Sequence, residues 1–194
     1  EVAGAVEDLA PSKAYVLGGE AAVSPAVVTA LEGGVGDGKG ERIGGGGRYE
    51  TAGKVADKVI AIEGAAFDGI AFVATGKNFP DALAASPIAA AKRWPILLAD
   101  PASTTVTLPS AVKGVRILGG EAVVSSATEA TLKTALGSGS VVRHAGDDRY
   151  ATAAAVAGIG VDLGLAWDGV GIATGINFPD ALSGGAMLGQ MDSV

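Results

Sequence analysis

Residues 70–74 (IAFVA) and 95–98 (PILL) are apolar at every position. Unbroken apolar runs of this length are what strands buried on both faces present. Residues 115–118 suggest a further strand, and Arg42 and Ile43 end a short one. Between these runs the period changes. Residues 49–62 place Val55, Val59 and Ile62 at helical spacing, residues 78–92 read as one helix, and residues 125–136 as another. The resulting β-α-β-α order predicts an α/β fold: a mainly parallel sheet flanked by helices.

The pattern is then repeated. RYETA at 48–52 returns as RYATA at 149–153, and ATGKNFPDAL at 74–83 as ATGINFPDAL at 173–182. LGGEAAVS at 17–24 returns as LGGEAVVS at 118–125. The cyclic order is the same, so the chain contains an internal duplication. Its phase predicts a back half at 1–40, a complete unit at 41–138 and a front half at 139–194. Such a chain is either a window on a longer array or one whose last front half pairs with its first back half. An end left uncovered would expose a strand edge prone to association.

The duplication separates residues that were kept from residues that drifted. Arg42 matches Arg143, and Arg48 matches Arg149, whereas none of the eight lysines recurs. The planar arginine fork suits carboxylate or phosphate oxygens. Two readings stand: an oxyanion contact, or a salt bridge or carbonyl clamp within the fold. Glu20 and Glu121 recur and are candidate partners for those arginines. In the ATGxNFPDAL phrase, Gly76 permits a turn, Asn78 suits an N-cap, Pro80 suits the first helical turn, and Asp81 faces the positive helix end. Asn177, Pro179 and Asp180 repeat this arrangement. The alternative sets Asn78 and Asp81 in a ligand crevice at the carboxyl edge of the sheet. Gly18 and Gly119 allow tight turns, with Ser24 and Ser125 as helix caps.

Composition narrows the function. A net charge of −7 and aromatic content of 5% oppose a nucleic-acid partner. With no cysteine, disulfides, thiol nucleophiles and cysteine-ligated metals are excluded. No uncharged apolar run is long enough to predict a membrane span. The chain does not begin with Met, so the lack of a visible leader decides nothing. His144 is the only histidine, and Ile43 stands in its place in the other copy. The Asp147–Asp148 pair resembles a metal cluster, but Gly46 and Gly47 replace it there. No cofactor or repeated catalytic set is predicted. GIGVDLG at 158–164 falls in a helix end rather than after a strand, which removes it as a dinucleotide loop.

Taken together, Arg48-Tyr49-x-Thr51-Ala52, the ATGxNFPDAL phrase, PILL and Leu118-Gly119-Gly120-x5-Ser125 resemble the cell wall binding repeat 2 family over essentially the whole chain. The resemblance implies Toprim-like units of about this length, usually three in tandem. It implies exported surface proteins of Gram-positive bacteria, held non-covalently on the wall by anionic secondary polymers. Enzymes such as amidases are often neighbouring domains in such proteins. The site residues it implies are Arg42, Arg48, Arg143 and Arg149 with the run Pro95, Ile96, Leu97 and Leu98. The expected function is a non-catalytic, extracellular anchoring module. The alternatives are a peptidoglycan-acting amidase or a surface-layer element that associates with itself or with neighbouring repeats.

Overall fold

The structure is a computed structural model that describes residues 2–36 and 38–194. It divides into two compact units, Glu1–Val55 and Ala56–Val194. The first contains α1 (Val2–Leu9), β1 (Ala14–Leu17), α2 (Pro25–Val35), β2 (Gly40–Ile43) and the start of α3 (Arg48–Glu63). β1 and β2 are parallel, with Ala14 opposite Gly40 and Leu17 opposite Ile43. Pro25 sits in the first turn of α2, where its missing N–H leaves no bond unmade. Val16, Val35 and Ile43 are buried.

The second unit continues α3 and adds β3 (Ile70–Thr75), α4 (Pro80–Ala84), α5 (Ser86–Lys92), β4 (Ile96–Ala99) and β5 (Gly114–Leu118). It is completed by α6 (Ser126–Leu136), β6 (Val141–His144), α7 (Arg149–Asp162) and α8 (Pro179–Gln190). Its sheet has the order β4-β3-β5-β6, and every pair is parallel. The expected α/β class is what the chain adopts. Side chains alternate between the two faces of the sheet. On one face Ala71, Val73, Leu97, Val115 and Ile117 pack with Ala56 and Leu132. On the other, Phe72, Ala74 and Leu118 pack with Ile88, Trp94 and Val156. Both faces being dry explains why IAFVA is apolar throughout.

Helices α5 and α8 lie close together because α8 presents glycine. A Cβ on Gly185 would collide with that of Ser86, and one on Gly189 with that of Ala90. Both positions need glycine for the close approach.

Three expectations change. The single helix over 78–92 is two helices, α4 and α5, meeting at Ala85. Pro87 has no N–H to give the Leu83 carbonyl, and the Ala85 N–H turns to Leu83 instead. Asn78 is not the N-cap: Phe79 holds that position, and Asn78 Oδ1 accepts from the Phe79 N–H at 2.9 Å. Asn177 likewise yields the cap position of α8 to Phe178. Ser125 does cap α6, accepting from the Thr128 N–H at 3.1 Å, whereas Ser24 holds the matching place without a side-chain bond. GIGVDLG runs through the end of α7, so it forms no phosphate loop.

Two polar side chains enter the second face. Arg116 lies 6.0 Å from the Trp94 ring centre, and the Trp94 indole donates to Asp68 at 2.7 Å. His144 is half-buried on β6, and burial, with the Arg116 charge adding, holds its imidazole below the usual 6.5. The folded state therefore binds fewer protons than the unfolded chain. That contribution to stability is present above pH 6.5 and is lost as pH falls through the folded value. His144→Ile, copying Ile43, should flatten the dependence of Tm on pH between about pH 7.5 and about pH 5, read by thermal denaturation.

Candidate functional site at the carboxyl edge of the sheet

In a parallel sheet all strands end at one edge, and the turns that follow them gather there. In the second unit β3, β5 and β6 end at Thr75, Leu118 and His144. Asp81, Gly119, Arg143 and Arg149 come just after or beside those ends.

Arg143 is held within the fold. Its Nη1 donates to the Gly119 carbonyl at 2.7 Å, its Nε to Glu129 Oε2 at 2.8 Å, and Nη2 lies 2.8 Å from the same oxygen. Lys133 reaches the other Glu129 oxygen at 2.6 Å, and the two cations hold this carboxylate below its ordinary range, Lys133 contributing most. The first unit repeats the clamp: Arg42 Nη1 donates to the Gly18 carbonyl at 2.7 Å and Nη2 to that of Ser24 at 3.2 Å. Gly18 and Gly119 have φ of +114° and +94°, so both turns need glycine. The carboxylate on Arg143 is Glu129, not the recurring Glu121, which is exposed like Glu20.

The threonine of RYxTA has an equally definite task. Thr51 Oγ1 accepts from the Gly45 N–H at 3.0 Å, and Thr152 Oγ1 from the Gly146 N–H at 3.0 Å. Asp148 caps α7 through the Tyr150 and Ala151 N–H groups at 2.9 and 2.8 Å. The Asp147–Asp148 pair is thus a helix start. No group of three His, Cys, Asp or Glu suited to a metal occurs among the described residues.

Arg149 opens α7, donates Nη1 to the Gly175 carbonyl and faces Asp81. Asp81 is buried, its carboxylate so close to Gly119 that a Cβ there would stand 2.5 Å from Oδ2. Burial raises its pKa, and the Arg149 charge only partly opposes this. Asp180, Asn78 and Asn177 are exposed. Phe79 and Phe178 meet edge to face, with centroids 5.7 Å apart. Beside them lies a mainly apolar cavity of about 430 Å³, lined by Leu83, Leu188, Arg149, Tyr150 and Asp180 among others. Tyr150 is 60% exposed beside Arg149, a feature that the copied RY phrase made visible. Arg48 opens α3 in the first unit with an exposed side chain. Of the PILL run, Leu97 is core, Pro95 is buried, and Ile96 and Leu98 are half-buried. β4 is an edge strand of its sheet.

The chain belongs to the cell wall binding domain 2 (CWB2) family, whose pattern matches residues 42–129 and 143–194. It is a cell-wall-binding module of the kind found on surface- or wall-associated proteins. Among solved structures it is similar to Cwp8 from Clostridium difficile, at 25% identity and a TM-score of 0.73, over 96% of this chain and 31% of that one. It is also similar to Cwp6 from Clostridium difficile, at 20% identity and a TM-score of 0.81, over 98% of this chain and 30% of that one. The chain therefore spans about a third of the length of either protein. No match was found among curated proteins. No helix of the described residues is long and apolar enough to cross a membrane.

Two outcomes test this geometry. Arg143→Ala should cost about 2 kcal/mol in urea denaturation, because charged hydrogen bonds to Glu129 and the Gly119 carbonyl are lost together. Asp81→Asn should raise Tm near neutral pH, because a carboxylate whose pKa is raised stabilises the fold only while protonated. Its advantage should disappear as pH approaches the unfolded value of 3.8.

Proposed function

We propose that this chain is a non-catalytic module that anchors an exported protein, outside the cell, to anionic secondary polymer of the wall. Family membership carries the reading. The contacts add detail. Arg42 and Arg143 direct their donors to turns within the fold. Arg149, beside exposed Tyr150, and Arg48 at its matching helix start are candidates to meet polymer. An arginine fork next to a tyrosine ring suits a chain of sugars bearing phosphate or carboxylate. Ile96 and Leu98 on the edge strand, with Asn78, Asn177 and Asp180, would line the contact. The repeat division at 1–40, 41–138 and 139–194 belongs to the same proposal: several weak sites per protein would add by avidity along a repeating polymer. With a net charge of −7, the cationic contacts must be local.

The amidase reading is separated by a zymogram on wall material, where a binder clears nothing. Binding itself is read by sedimentation with purified Gram-positive walls, before and after the covalently attached anionic polymers are stripped. The expected result is loss of binding on stripping and on adding salt, which screens such contacts. Arg48→Ala with Arg149→Ala should weaken binding roughly tenfold or more while leaving the circular dichroism spectrum intact. Equal binding to stripped walls would shift the ligand to peptidoglycan.

A further inference from the structure

Residues 100–113 join the end of β4 at Ala99 to the start of β5 at Gly114 with neither helix nor strand. Connections longer than about 12 residues without structure of their own are uncommon in compact domains and usually carry a function. Turns close both ends of this one. The Ser103 N–H donates to the Asp100 carbonyl and the Val112 N–H to that of Pro109, each at 2.9 Å. Between the turns Val106 and Leu108 pack against the core, while Ser103, Thr104, Thr105 and Thr107 are exposed. The segment is thus pinned at alternate residues and presents its threonines to solvent.

These threonines differ from all the others in the chain. Thr51, Thr75, Thr152 and Thr174 accept from main-chain N–H groups. Thr29, Thr131 and Thr134 donate to carbonyls one helical turn back, and Thr128 bonds the Ser125 hydroxyl. Among the described residues, the only threonine hydroxyls without a hydrogen-bond partner in the protein are those of Thr104, Thr105 and Thr107. The sequence around them is as distinctive. Pro101 to Val112 holds five hydroxyl side chains and two prolines but no charge, although 18% of the whole chain is charged. Stretches rich in serine and threonine with proline are the composition of O-glycosylated segments. A phosphate would be poorly placed here, because no arginine or lysine lies among these residues to pair with it.

We propose that the cluster Thr104, Thr105 and Thr107 is an acceptor site for O-linked sugar. The donor is a sugar activated as a phosphate ester, and a separate transferase supplies a general base. Threonine Oγ1 attacks the anomeric carbon as the bond from that carbon to the phosphate oxygen breaks. The phosphate leaves with the electron pair, and the hydroxyl proton passes to the base. The fold loses no hydrogen bond in the exchange, since these hydroxyls make none within it. Attached sugar shields an exposed loop of the kind that proteases cut. The modification does not depend on what the module binds.

Tryptic mass mapping tests this, because no lysine or arginine lies between Arg93 and Lys113 and one peptide, 94–113, carries the whole loop. In protein purified from the cells that make it, that peptide should be heavier by one or more sugar residues than the same peptide made by cell-free synthesis without sugar donors. Electron-transfer fragmentation should place the added mass on Thr104, Thr105 or Thr107. Thr104→Ala, Thr105→Ala and Thr107→Ala together should abolish the added mass in those cells. Made cell-free, the same triple variant should melt with the parent, since exposed hydroxyls without partners carry little stability. A bare peptide from the producing cells overturns the proposal. So does sugar confined to Ser103, Ser110 or residues outside the loop, and so does an added phosphate in place of sugar.

Discussion

The hydrogen bond from an arginine on one strand to the carbonyl of a left-handed glycine at the end of its neighbour orders everything around it. It occurs twice, Arg42 to Gly18 and Arg143 to Gly119, at the same 2.7 Å. A glycine at positive φ turns the chain sharply and leaves its carbonyl facing across the strand end. The arginine fork satisfies that carbonyl and still has donors for a second oxygen: the Ser24 carbonyl in one case, the Glu129 carboxylate in the other. Lysine carries a single ammonium group and cannot span the two acceptors with a planar fork. This explains why arginine persisted in both copies while lysines moved.

The clamp in the second unit also sets the position of Asp81. Gly119 has no side chain, and the carboxylate fills that space. Arg149 approaches from the start of α7, so one turn, one helix start and one arginine from the following repeat share a single contact. A buried acid held this way is an expensive means of stabilisation, because its charge is taken from water. Its presence is better understood as fixing which turn meets which helix.

Much of this was legible in the sequence. Strands buried on both faces write themselves as continuous apolar runs, so β3, β4 and β5 stood out. Capping at Ser125 was visible because its chemistry is local. The failures have physical reasons. Apolar spacing runs through residues 78–92, but the missing N–H of Pro87 overrides it. In α3 the helical spacing of Val55, Val59 and Ile62 marks the helix but not its core contact: Ile62 is 57% exposed, whereas small Ala56 is fully buried. Residues 169–174 stand where β3 stands in the other copy without becoming a strand, and Gly169 and Gly171 there replace Ile70 and Phe72. The arginines left two readings open because a carbonyl acceptor depends on backbone dihedral angles that no residue type encodes. Glu129, the partner of Arg143, has Val28 in the matching position, so the repeat comparison passed over it.

The arginines, LGG turns and RYxTA helix starts that both copies share stand at the carboxyl edge of the strands. The opposite rim of the second unit, where β6 begins after the turn Ser138–Ser140, carries none of them. Ser138 and Gly139 are exposed there. That rim is the natural place for a fluorophore, a peptide tag or a tether to a solid support. A probe fixed at Ser138 would report on the module from the side farthest from its turns, arginines and helix starts.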